Sequence, residues 1–113
     1  MTARLTSGML VSALIRKTQE EGGHAVVVVK GDATAGAIVI LLAEKGRNSG
    51  LFERSLTGKG AYHWARVGPQ DIDNVEEFDH YIQRRRRFDP DLWLIELDVP
   101  YGERLIAQMM DDD

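Results

Sequence analysis

The sequence predicts an α+β domain with three helices and a mainly antiparallel five-stranded sheet, a meander plus a fifth strand, in the order α-β-β-β-β-α-β-α. Three observations carry this prediction. Apolar residues recur at helical spacing near the start, after Pro69 and at the end; four strand-like runs are separated by short glycine-bounded turns; and one more apolar run follows the second helical stretch.

The first helix is predicted over about residues 8 to 21, with Leu10, Val11, Leu14 and Ile15 as its apolar stripe. Ser7 can accept a first-turn N–H, and Gly22-Gly23 can stop the helix in the left-handed conformation. Ala25 to Val29 and Ala37 to Ala43 show little polar alternation and are predicted to be central strands buried on both faces. Gly31 to Gly36, Gly46 to Gly50 and Thr57 to Gly60 read as tight hairpin turns. Leu51 to Leu56 and Ala61 to Val67 alternate more clearly, so they are expected to be less buried; Phe52 and Leu56 share one face, as do Tyr62, Trp64 and Arg66.

After Pro69, Val75, Phe78 and Ile82 mark a helix running to Phe88, with Glu76 and Glu77 early and arginines late, an order that suits the helix dipole. Leu92 to Leu97 is the fifth strand. Asp98 and Pro100 introduce a short final helix with Leu105, Ile106, Met109 and Met110 inward, and Asp111 to Asp113 are expected to fray. The fifth strand is predicted to lie antiparallel to the first at the sheet edge, in spatial order 5-1-2-3-4, with the far edge beside the fourth strand as the alternative. Two strands apolar on both faces leave a second sheet face to be covered by a crossing helix or by another copy, so a homodimer is expected.

With 113 residues the chain reads as a single domain, residues 1–113, able to bury about two-thirds of its unfolded surface without staples. Hydrophobic residues at 43% and charged residues at 28% exclude the disordered, collagen-like and membrane classes. A net charge of -4 argues against indiscriminate nucleic-acid binding, which needs a broad basic field. The absence of cysteine excludes disulfides, thiol nucleophiles and thiolate metal sites and fits a cytoplasmic setting. The longest uncharged apolar stretch, Gly36 to Ala43, is far short of the ~20 residues a spanning helix needs, and Met1 to Gly8 has no signal-peptide pattern.

The densest charge block outside the tail is Arg84-Arg85-Arg86-Arg87. Successive helical residues turn by ~100°, so these four side chains diverge. Arg85 falls nearest the apolar stripe and Arg87 nearest solvent. Arg85 is therefore expected to reach a carboxylate such as Asp89, Asp91 or Glu96, or to line a pocket as an anion clamp. In the predicted topology the run lies near Lys30 and Lys59, forming a basic rim that could contact an anion or nucleic acid or meet a protein; the plainest reading is a cationic helix cap. Gly31 to Gly36 lacks the Gly-Lys-Ser/Thr ending of a phosphate loop.

A second candidate surface is Tyr62, Trp64 and Arg66 on one strand face, with Arg54 on the neighbouring strand. Aromatics interleaved with arginine can stack unpaired bases, although the same residues also make sheet cores. His24, His63 and His80 have no metal-ligand spacing, and the acids Asp71, Asp73, Glu76, Glu77 and Asp79 sit at a helix start, where acids belong. No catalytic, cofactor or metal residue is assigned, and Ser49 reads as a turn residue, not a nucleophile.

Four segments carry a resemblance: Thr2 to Leu5, Lys30 to Ala37, Glu44 to Leu51, and Arg85 to Trp93, the last being the most specific. Together they resemble a small bacterial family known as a domain of unknown function, over nearly the whole chain. The resemblance implies a small bacterial cytosolic protein and transfers no activity, cofactor or site residue.

The leading functional reading is a non-enzymatic, dimeric domain that binds a protein partner through the basic rim or the Tyr62/Trp64 face. A nucleic-acid- or nucleotide-binding regulator using Arg84 to Arg87 with Tyr62, Trp64 and Arg66 is the first alternative, and a small acid-base hydrolase or transferase with a carboxylate beside His63 or His80 is the second.

Overall fold

A computed structural model describes residues 5–56, 58, 60 and 62–111. Thr2, Ala3, Arg4, Lys59, Asp112 and Asp113 lie outside the described residues, as do the side chains of Leu56, Met110 and Asp111. The elements follow the predicted order: α1 (Ser7–Glu20), β1 (His24–Val29), β2 (Ile38–Glu44), β3 (Arg47–Leu56), β4 (Tyr62–Val67), α2 (Val75–Phe88), β5 (Trp93–Asp98) and α3 (Gly102–Asp111).

Helix ends follow local chemistry. The cap of α1 is Thr6, whose hydroxyl accepts from the Met9 N–H at 3.2 Å. Ser7 is buried instead, its hydroxyl donating to the Gly36 carbonyl at 2.6 Å. Gly22 leaves α1 with φ +84°, the left-handed stop read from the sequence. In α2, Asn74 accepts from the Glu77 N–H at 3.1 Å, and the helix runs from acidic first turn to basic last turn.

The sheet departs from prediction. Its order is β1-β5-β2-β3-β4, so the fifth strand lies neither outside the first nor beside the fourth, but between the first and second. It runs antiparallel to β1, with Ala25 opposite Leu97, and parallel to β2, with Ile40 opposite Ile95. The sheet is therefore mixed, and only β2-β3-β4 form a meander. The reason is burial: Leu92, Leu94, Ile95 and Leu97 are all under 3% exposed, a degree of enclosure that an edge position cannot supply. β1 takes the edge instead, leaving Val26, Val27 and Val28 at 53%, 40% and 51% exposure where two-sided burial was expected.

The predicted Gly31 to Gly36 hairpin is accordingly a crossover that passes the start of β5. Asp32 N–H donates to the Asp91 carbonyl at 2.9 Å, and the Trp93 indole N–H donates to the Asp32 carbonyl at 2.8 Å. A Cβ on Gly31 or Gly36 would collide with the Asp91 carbonyl, so the glycines serve close approach between two backbone segments.

Side chains alternate across β2. Ile38, Ile40 and Leu42 join the core under α1 and α3, with Leu10, Leu14, Ile95, Leu97 and Ile106; Val39 and Leu41 join the core under α2, with Leu51, Ile82 and Leu94. The second face is thus covered by a helix. Because β4 runs parallel to β5, α2 is the crossover between them, reaching the sheet through Phe78, Tyr81 and Ile82. It does not extend over β1, whose Val26 stands opposite Glu96 on that face.

Candidate interaction surface

Arg85 lies at the edge of the α2 stripe, where the sequence places it, but its partner is a different carboxylate. Its guanidinium grips Glu53 of β3 in a two-point ion pair, Nη1 to Oε1 at 2.6 Å and Nη2 to Oε2 at 2.8 Å, and Nη1 also donates to the Tyr81 hydroxyl at 2.8 Å. Both charged side chains are about three-quarters buried, 25% and 24% exposed. The Glu53 hydrogen bonds push the Arg85 pKa further above its ordinary range; desolvation opposes this and Tyr81 adds to it. Arg85 is a clamp between helix and sheet. Asp89, Asp91 and Glu96, the carboxylates expected from the sequence, do not pair with it.

Arg84, Arg86 and Arg87 are exposed and make no ion pair among the described residues. Phe88 follows at 81% exposure. On the helix, Arg84, Arg87 and Phe88 share one flank, because the steps of three and four residues return to the same side. Lys30 is exposed at the end of β1, which lies at the same end of the sheet because β1 is antiparallel to the strand α2 leads into.

The second candidate surface lies across the sheet. Trp64 packs into the α1/α3 core and its indole N–H donates to the Ile106 carbonyl at 2.9 Å. Arg66 donates to the Ser49 carbonyl at 3.1 Å, approaches Glu103 at 3.6 Å and lies over the Phe52 ring at 5.1 Å. Arg54 is indeed opposite Trp64, and lies over the Tyr62 ring at 4.8 Å. Tyr62, Trp64 and Arg66 share the α1/α3 face as predicted, while the α2 arginines belong to the other face. The composite basic-aromatic surface is not assembled: one sheet thickness separates its halves.

Two hollows place a histidine beside a carboxylate. One, of about 300 Å³, is lined by Phe52, Tyr62, His63, Trp64, Glu103 and Ile106; the other, of about 450 Å³, by Glu76, Glu77, His80, Tyr81 and Arg84. Neither histidine is paired with a carboxylate among the described residues. Among the described residues no three histidines or carboxylates gather as metal ligands.

Sequence reasoning missed Glu53 because a partner 32 residues away on a strand leaves no local trace. It missed the exposure of the β1 valines because an apolar run reads the same at an edge as in a sheet centre. A usable signal was present: the eight residues between Val29 and Ile38 are more than a tight hairpin needs.

Comparison with known proteins agrees with this architecture. A crystal structure of a DUF1491 family protein from Caulobacter crescentus is similar at 31% identity, covering 90% of this chain and 94% of that one, with a TM-score of 0.75. An NMR structure of a DUF1491 family protein from the same organism is similar at 30% identity, covering 92% and 94%, also with a TM-score of 0.75. Protein Atu0922 from A. tumefaciens is similar at 32% identity, covering 86% and 87%, with a TM-score of 0.66. No curated protein matches. The model of the family described as "Protein of unknown function (DUF1491)" matches residues 5–107, and the chain belongs to that family.

Proposed function

We propose that this domain acts by binding and that the C-terminal end of α2 docks an acidic segment of a protein partner. The observation that carries the reading is the contrast within the arginine run: Arg85 is consumed by Glu53, whereas Arg84, Arg86 and Arg87 stand exposed without an ion pair among the described residues, next to an exposed Phe88. Arginine beside an aromatic residue is the composition of energetic anchors at protein interfaces. Two facts favour a protein over nucleic acid: the net charge of -4, and the packing of Trp64 into the core of the opposite sheet face. The bacterial relatives and the lack of cysteine support a bacterial cytoplasmic setting.

The test is fluorescence polarisation of a labelled Glu/Leu-rich peptide and of a short single-stranded RNA, at low and moderate salt, against the full chain and an Arg84→Ala/Arg87→Ala/Phe88→Ala variant. Salt-sensitive peptide binding, weakened roughly tenfold in the variant, is the expected result. Preference for RNA replaces the protein partner with a nucleic acid. Binding of neither probe reduces the arginines to a helix cap.

A further inference from the structure

The edge strand β1 is unusual in what it lacks. From Ala25 to Val29 it carries no charge and no proline, and Val26, Val27 and Val28 are all exposed. Its backbone pairs on one side only, with β5; among the described residues nothing pairs with the other. Edge strands normally carry charges or prolines that discourage further pairing, and here the only such device is a bulge beside Val28. The opposite edge, β4, is guarded: it carries His63 and Arg66, and α3 packs beside it at Trp64.

We propose that β1 pairs with β1 of a second copy, antiparallel about a two-fold axis, joining two sheets into one. The charges that flank the strand identify the occupant. Glu20 and Glu21 are exposed just before β1, and Lys30 is exposed just after it. Antiparallel pairing centred on Val26 or on Val27 sets Lys30 of each copy level with residue 22 or 24 of the other, within reach of its Glu20 and Glu21. Both ends of the seam then bring opposite charges together. Parallel pairing would instead set Lys30 beside Lys30. In the two-fold arrangement the Val26 side chains of the two copies share one sheet face, and β-branched cross-strand neighbours are favourable there. The contact is isologous, so it closes as a dimer and does not propagate. The seam is short, with six residues in the strand, and dissociates on dilution.

The experiment is sedimentation velocity on the full chain over a concentration series, with variants in β1 and its flanks. The wild type is expected to pass from monomer to dimer as concentration rises. Val26→Lys, at a half-exposed position the fold tolerates, raises the dimer Kd at least ~10-fold, as like charges meet at the seam. Lys30→Glu weakens the dimer, and combining it with Glu20→Lys and Glu21→Lys restores it. Because the chain has no cysteine, Val26→Cys also reports directly: under mild oxidation it forms a disulfide-linked dimer, whereas His63→Cys on the far edge does not. A wild type that stays monomeric at every concentration overturns the proposal, as does a dimer that Val26→Lys leaves intact or one that cross-links as readily through His63→Cys.

Discussion

Arg85 and Arg87 are chemically identical and two residues apart, yet only one of them belongs to the fold. Arg85→Ala leaves the Glu53 carboxylate about three-quarters buried and unpaired, a loss of about 1–3 kcal/mol, between the values for exposed and fully buried pairs. Arg87→Ala removes a solvated charge and is expected to stay within ~0.5 kcal/mol. Thermal unfolding of the two variants side by side checks this, and equal melting temperatures would refute the placement. The Thr18 hydroxyl poses the opposite case, because it is buried with no hydrogen-bond partner among the described residues. Thr18→Val keeps the shape and removes the orphaned group, so denaturant titration should show stability unchanged or raised by about 1 kcal/mol. Position relative to the apolar stripe was legible at Arg85; the identity of its partner was not, since the stripe marks a direction on a helix and not what lies across the gap.

At the level of elements, the crossover between β1 and β2 shows how a glycine pattern can be read for the wrong reason. Gly31 and Gly36 look like the ends of a hairpin, but their lack of side chains is needed where the chain presses on the Asp91 carbonyl. Gly36→Ala is therefore expected to cost at least about 1–3 kcal/mol through backbone displacement. Gly58→Ala, with nothing within 4 Å of the added carbon among the described residues, should change stability by less than ~0.5 kcal/mol. Chemical denaturation of both variants distinguishes close approach from simple turn flexibility; similar losses would favour the latter. α2 gives the complementary lesson. Its C-terminal end and charge order followed from the apolar stripe, the early acids and the closing arginines, all local features. That it crosses to the second sheet face follows from the parallel relation of β4 and β5, which no segment of the chain reveals alone.

For the whole molecule, the decisive fact is that the last strand in the chain lies next to the first and the second. β5 supplies Ile95 and Leu97 to one core and Leu92 and Leu94 precede or flank them in the other, so neither core closes without it. A chain ending at Asp91 is expected to lack cooperative unfolding, because β1 loses the strand it pairs with and β2 its parallel neighbour. Calorimetry on that truncation should show no transition; a native-like melt would contradict the central role of β5. The same topology keeps the basic end of α2 and the Tyr62, Trp64 and Arg66 face apart, dividing surfaces that look combinable along the sequence.

By itself the sequence determined the number, kind and order of the elements, the glycine stop of α1, the C-terminal end of α2 and the orientation of Arg85, because periodicity and glycine stops act over a few residues. Tertiary structure alone decided that β5 enters the sheet between β1 and β2, that the most valine-rich strand stands at the edge, and that Glu53 takes Arg85. Strand order is settled by how much apolar surface each strand buries when all are present together, a comparison among distant segments that no local pattern contains.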